Sequence, residues 1–150
     1  MEQNYIKENK KSRERLVKLA GFLTEKEFHY VIYKEGWTIA AALAHLAFWD
    51  ERRRLQCKIW REKGVSPTPN IDDIVNDVLI PLLLAIPPKK AAALAVEAAE
   101  ALDKAIEELP EKMRREIEAL NEPKALDRAS HRNQHLDEID AFLKTKGLRK

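Results

Sequence analysis

The feature that most constrains the fold is an apolar segment in the first third of the chain. Ile39–Trp49 spans eleven residues, none of them charged, and His45 is the one strongly polar side chain among them. A helix that is apolar on nearly every side lies at the centre of a helical protein. The segment is about half as long as the ~20 residues that a membrane-spanning helix needs. With Thr38 as its N-cap, the sequence predicts a buried central helix from Ile39 to about Arg61.

Prolines and glycines divide the rest of the chain into further helices. Periodic apolar residues between these breaks predict helices at about 3–23, 70–86, 88–106, 110–120 and 123–146, and Thr24 with Glu27 predicts a capping box. Pro81 lies inside the third helix and is expected to kink it. The pattern predicts an all-α fold, an antiparallel four-helix bundle with short extra helical elements. We expect one domain, residues 1–150, with frayed ends at residues 1–11 and 147–150.

Composition excludes several classes of function. The 27 Lys and Arg against 25 Asp and Glu leave a net charge of +2, which is not the electrostatic footprint of a nucleic-acid-binding protein. Four glycines form no phosphate-binding loop, and the single Cys57 excludes an intramolecular disulfide and fits a reducing compartment. The sequence has neither the apolar core of a signal peptide nor a membrane-spanning stretch, so we expect a cytoplasmic protein without a membrane partner.

Three histidines are the candidate metal ligands. His131 and His135 are four residues apart on the last predicted helix, so their side chains lie on one face, with Cβ atoms about 6 Å apart. His45 lies on the inward face of the central helix, where an imidazole needs a hydrogen-bond partner or a ligand. The four-residue spacing lets the imidazoles of His131 and His135 reach one divalent ion. A core histidine satisfied by a neighbour, and a chance spacing of the pair, remain the alternatives.

Charged residues flank the histidine pair on the last helix. Asp127 and Glu138 are candidates to accept an imidazole N–H or to act as further ligands. Arg128 and Arg132 fall close to the apolar stripe of the same helix. Two interpretations of these arginines stay open: they pair with acidic neighbours, or they hold an anionic substrate group beside a metal.

Two sequence blocks resemble the DinB-like superfamily, which includes the mycothiol-dependent maleylpyruvate isomerase N-terminal domains and the bacillithiol transferase-like proteins. The block 36–50, GWTIAAALAHLAFWD, is similar to the family's second helix: a tryptophan, a small polar cap and an apolar helix with one histidine. The block 131–139, HRNQHLDEI, is similar to its last helix, which has two histidines four apart. The resemblance implies a four-helix bundle that holds a divalent metal, commonly zinc or nickel, through His45, His131 and His135.

The resemblance also implies a function. We expect a metal-dependent enzyme that activates a low-molecular-weight thiol or water for transfer to an electrophile, isomerisation or hydrolysis. Phe48 and Trp49 are expected to line the apolar part of the pocket, and Arg52 or Arg132 to orient an anion. The first alternative is a non-catalytic bundle that binds a metal or small ligand and forms a homodimer through exposed helix faces. The second is a structural bundle with incidental histidines.

Overall fold

The protein is all-helical in the computed structural model, which describes residues 4–147. Its helices are α1 (Asn4–Phe22), α2 (Glu25–Phe28), α3 (Ile39–Lys63), α4 (Val75–Leu84), α5 (Pro88–Glu108), α6 (Glu111–Ala119) and α7 (Ala129–Thr145). Across the described residues, β pairing is limited to one isolated antiparallel bridge between Val31 and Thr38. The predicted all-α class is confirmed. None of the described helices is both long and apolar enough to cross a lipid bilayer.

The four long helices pack in a closed ring. Helix α5 contacts α1 and α3, and α7 contacts the same two helices, with the most extensive interface between α3 and α5. Alanines are frequent in the core at this interface, and small side chains let two helices lie close together. The buried alanines in the shared core are Ala40, Ala41, Ala42 and Ala44 of α3 and Ala91, Ala92, Ala95 and Ala99 of α5. The apolar first half of α3 is therefore buried, as its composition predicts.

Local capping signals correctly predict where two helices begin. The Thr38 hydroxyl accepts a hydrogen bond from the Ala41 backbone N–H at 3.0 Å, at the start of α3. At α2, the Thr24 hydroxyl accepts from the Glu27 N–H at 3.2 Å, and the Glu27 carboxylate accepts from the Thr24 N–H at 2.9 Å. Each bond satisfies a backbone donor that has no partner within its helix.

Helix α4 begins at Val75, so the predicted start after Asn70 is wrong. Pro81 lies inside this helix, as predicted. The apolar residues that suggested a longer buried helix are largely solvent-exposed, with 58% exposure at Ile74, 61% at Val78 and 63% at Leu82. Helix α4 packs mainly on α3 and stands outside the ring of long helices. Helical periodicity alone therefore overestimated its length.

Helix α7 begins at Ala129, not at the predicted Pro123, and both Asp127 and a side chain from α1 cap its start. The Asn9 Oδ1 accepts hydrogen bonds from the backbone N–H groups of Arg128 at 2.8 Å and Ala129 at 3.0 Å. The Asn9 amide also donates to the Leu126 carbonyl at 2.8 Å. Residues 4–11 belong to α1, and the fraying predicted for residues 1–11 and 147–150 stays a prediction. Residues 1–3 and 148–150 of these two ends lie outside the described residues.

Candidate metal centre

The three candidate histidines converge between α3 and α7. The ring centroids of His45, His131 and His135 lie 4.9 to 5.2 Å apart. Each residue offers one ligand nitrogen within 4.8 Å of the other two. The Nε2 atoms of His45 and His131 are 3.2 Å apart. The predicted convergence of these residues is confirmed.

The geometry fits one divalent ion. Two nitrogens bound at about 2.0–2.1 Å to a tetrahedral ion are about 3.3 Å from each other. The 3.2 Å between the Nε2 atoms of His45 and His131 is close to this spacing. His135 offers a third ligand nitrogen within 4.8 Å of the other two. The three residues thus form a ligand set that leaves one tetrahedral position open.

Tyr33 orients His135. The Tyr33 hydroxyl lies 3.0 Å from Glu138 Oε1 and 2.8 Å from His135 Nδ1. Because the hydroxyl donates its one proton to the carboxylate, it accepts a hydrogen bond from the protonated Nδ1 of His135. This tautomer leaves Nε2 with the free lone pair that a metal requires. Burial and the Glu138 carboxylate raise the pKa of Tyr33, so the hydroxyl keeps its proton.

Glu138 was predicted to support an imidazole, and it does so mainly through Tyr33, with Oε1 also 3.5 Å from His135 Nδ1. Sequence reasoning missed Tyr33 itself. It lies outside the helices, in the segment between α2 and α3, where no helical spacing relates it to the histidines. Its ring is 5.9 Å from the His135 ring and packs edge-on against it. Only the folded chain brings the two residues together.

Burial keeps the imidazoles neutral. Desolvation, with repulsion from His135, lowers the pKa of His45 to about 3 and that of His131 to about 2. Desolvation also lowers the pKa of His135. Neutral imidazole is the form that binds metal, so protons compete only weakly with a metal ion for these nitrogens near neutral pH. The Nδ1 of His45 is buried with no hydrogen-bond partner among the described residues.

Arg132 lies in a buried network that joins α7 to α1, α3 and α5, not at the histidine site. Its guanidinium donates to Asp50 on α3 at 2.9 Å and to Asp103 on α5 at 2.8 and 3.0 Å. It is 0% exposed. Arg128 donates to the other Asp50 oxygen at 3.1 Å. The pairing with acidic neighbours holds for both arginines, and Arg132 has no exposed surface for a substrate.

A cavity beside the histidines has two parts that share four of their lining residues. One part, of about 430 Å³, is lined by Tyr33, Trp37, all three histidines and Glu138. The other, of about 270 Å³, is lined by Trp49 and several basic side chains. His45, His131, Asn76 and Lys124 line both parts. The histidines are thus accessible from a cavity large enough for a small molecule.

Helix α4 forms one edge of this cavity. The Trp49 indole N–H donates a hydrogen bond to Asn76 Oδ1 at 3.0 Å, which ties α4 to the site. Neither Asn76 nor Lys124 was foreseen from the sequence. Asn76 is an isolated amide in an apolar helix, and Lys124 lies in the segment that was assigned to the last helix. No spacing signal distinguishes them from ordinary surface residues.

The remaining predicted site residues divide into two groups. Trp49 and Arg52 line the cavity as predicted, with the Arg52 guanidinium 5.6 Å above the Trp49 ring. Phe48 packs against Trp49 at 5.1 Å but is absent from the described residues that line either part. Asp127 accepts hydrogen bonds from Ser130 at the start of α7, where it caps the helix and supports no imidazole.

The comparisons with known proteins give no relative. No protein-family model matches the chain, and no curated protein and no solved structure is significantly similar to it. The fold and the site define an all-helical protein with a three-histidine group that can hold a divalent ion. The DinB-like resemblance rests on the two sequence blocks that contain these histidines.

Proposed function

We propose that this chain is a DinB-like metalloprotein that binds one divalent ion, zinc or nickel, and acts on a low-molecular-weight thiol or water. In this proposal the ring of long helices is an antiparallel four-helix bundle, and His45, His131 and His135 are the ligands. The observation that carries the proposal is the convergence of three imidazoles with lowered pKa values at the wall of an accessible cavity.

The chain's own residues have distinct roles in this site. A divalent ion there supplies a Lewis acid with an open position, at which a thiol or water loses its proton more readily. Tyr33 holds the His135 ring in place through a hydrogen bond, and Glu138 in turn holds Tyr33. Trp37 packs on His45 with ring centroids 4.9 Å apart, and Trp49 at 6.4 Å. These two indoles limit the access of water to His45 and give the cavity an apolar wall.

The metal content of the protein tests this proposal directly. We expect about one zinc or nickel ion per chain after purification without a nickel column, measured by elemental analysis. His45→Ala and His131→Ala should each lose most of this metal while circular dichroism shows an unchanged helix content. His29→Ala is the matched control, because His29 is exposed and lies 3.4 Å from Glu25, away from the cluster. Wild-type protein that takes up no ion even with excess metal contradicts the proposal.

Cobalt-substituted protein separates the catalyst from the non-catalytic alternative. A thiol that reaches the ion should change the visible absorption spectrum and release a proton, because thiolate is the form that binds metal. Added electrophiles should then be consumed if the site transfers the thiol. A spectral change without turnover favours a protein that only binds. If no cellular thiol changes the spectrum, the site does not activate a thiol, and water remains as the group that it activates.

A further inference from the structure

The smaller part of the cavity has a strongly basic wall. Four cationic side chains, Arg52, Arg53, Lys124 and Arg128, line this space of about 270 Å³. The other described residues that line it are His45, Trp49, Asn76 and His131, so no carboxylate faces the same space. Such a concentration of like charge in a partly buried cavity favours an anion.

The cations of this wall have few anionic partners in the protein. Arg53 is 7% exposed, and its only ion-pair contact in the described structure is Glu122 at 3.9 Å. One of its terminal nitrogens donates to the Thr68 hydroxyl at 3.0 Å. Its Nε is buried without a hydrogen-bond partner among the described residues. A buried guanidinium with an unused donor is unfavourable unless an acceptor binds there.

Arg52 and Arg128 are two further cations of the wall. Arg52 donates to the Pro69 carbonyl at 2.6 Å, which is a neutral acceptor. Arg128 shares the single charge of Asp50 with Arg132. Burial, together with repulsion from Arg128 and Arg52, lowers the pKa of Arg53 to about 10. The positive charges around this space are therefore only partly neutralised by the described residues of the protein itself.

We propose that this basic part of the cavity binds an oxyanion, a carboxylate or a phosphate group, of the molecule on which the histidine site acts. Arginine presents paired N–H donors that suit such groups. His45 and His131 line both parts of the cavity, so a small molecule anchored by its oxyanion extends directly toward the three imidazoles. The anion site stands on its own geometry, and the link to a reacting molecule rests on the proposed function.

Anion titration of the full chain tests the site without reference to turnover. Isothermal calorimetry on metal-free protein should show one saturable site for inorganic phosphate or for acetate, with chloride at equal ionic strength as the reference. The probe that binds more tightly identifies the type of oxyanion. Arg52→Gln should weaken this binding about tenfold, since one charge-assisted contact is lost. Arg53→Lys, which keeps the charge but not the paired donors, should weaken it by a similar factor.

Arg54→Gln is the matched control. It removes the same charge from the same helix, but Arg54 pairs with Glu51 and does not line this space in the described structure. Its affinity for the probe should stay within about twofold of wild type. Helix content and metal content of each variant are measured in parallel, so that a misfolded variant is recognised.

The two proposals fail separately in this design. If the protein takes up no ion even with excess metal, but binds phosphate or acetate in a way that depends on Arg52 and Arg53, the proposed function is overturned and the anion site is supported. A protein that binds metal but neither phosphate nor acetate overturns the anion site. Equal weakening by Arg54→Gln also overturns it, because the effect then comes from net charge.

Discussion

Replacing Asn9 with alanine tests whether α1 determines where α7 begins. Asn9 is 2% exposed and makes three hydrogen bonds with the residues at the start of α7. The substitution leaves the N–H groups of Arg128 and Ala129 and the Leu126 carbonyl without this partner. At about 1 kcal/mol for each lost bond, the loss is about 3 kcal/mol. Alanine returns about 0.6 kcal/mol as the better helix former, so we expect a net destabilisation of about 2.5 kcal/mol.

Urea unfolding followed by circular dichroism measures this free energy, with Asn4→Ala as the matched control. Asn4 lies on the same helix and is exposed, so its replacement should change the free energy of unfolding by less than about 0.5 kcal/mol. Asn9→Asp keeps an acceptor for both backbone N–H groups and should cost less than Asn9→Ala. Because His131 lies in the first turn of α7, Asn9→Ala should also weaken metal binding.

The explanation is refuted if Asn9→Ala costs less than about 1 kcal/mol, or no more than the control. It is also refuted if Asn9→Asp is as damaging as Asn9→Ala, because the retained acceptor would then be irrelevant.

Three further predictions follow from the site and the core. Tyr33→Phe should lower metal affinity about 10- to 100-fold in a competition titration, whereas Tyr30→Phe should leave the affinity unchanged. An equal effect of the two substitutions would contradict the role of the Tyr33 hydroxyl. For metal-free protein, the folded-state pKa values of His45 and His131 lie below the unfolded value, so the unfolded chain binds more protons below pH ~6.5. The free energy of unfolding should therefore fall as the pH drops from about 6.5 toward 3, by up to about 1.4 kcal/mol per pH unit for each histidine. Urea titrations at several pH values should show a smaller slope of this free energy against pH for His45→Gln than for wild type. Burial raises the pKa of Cys57 to about 11, and thiolate is the reactive form. At pH 8, native protein should therefore react with a thiol reagent at least about tenfold more slowly than urea-unfolded protein. Equal rates would contradict the burial of Cys57.

The parts of the fold that depend on local signals could be predicted from the sequence. Thr38 and the Thr24–Glu27 capping box mark helix starts because the bonds form between residues three positions apart. The contribution of α1 to the start of α7 could not be predicted in this way. The bonds from Asn9 to Arg128 and Ala129 cross 119 and 120 residues of sequence. The local cap that Asp127 forms with Ser130 was open to sequence reasoning, but the predicted start at Pro123 did not use it.

The candidate site shows the same division. The histidine pair on one helix, the lone histidine on an apolar helix and the resemblance of both blocks to one family together predicted the cluster. The partners of Arg132 were not predictable, because choosing between a substrate and Asp50 or Asp103 requires the packing of α3, α5 and α7. Tyr33 was missed for a similar reason, since its position beside His135 follows from the path of the chain between α2 and α3.

The Asp50 network has a consequence for how the site exchanges its ion. Asp50 follows His45 by five residues on α3, and its partner Arg132 is adjacent to His131 on α7. This ion pair therefore sets the distance between the two helices next to the ligands, with no contribution from a metal. In small zinc domains the ion supplies the free energy of folding, and chelation unfolds the chain. Here the ligands are preorganised by the fold, so a chelator should remove the ion from a chain that stays folded, and a second ion should enter without refolding.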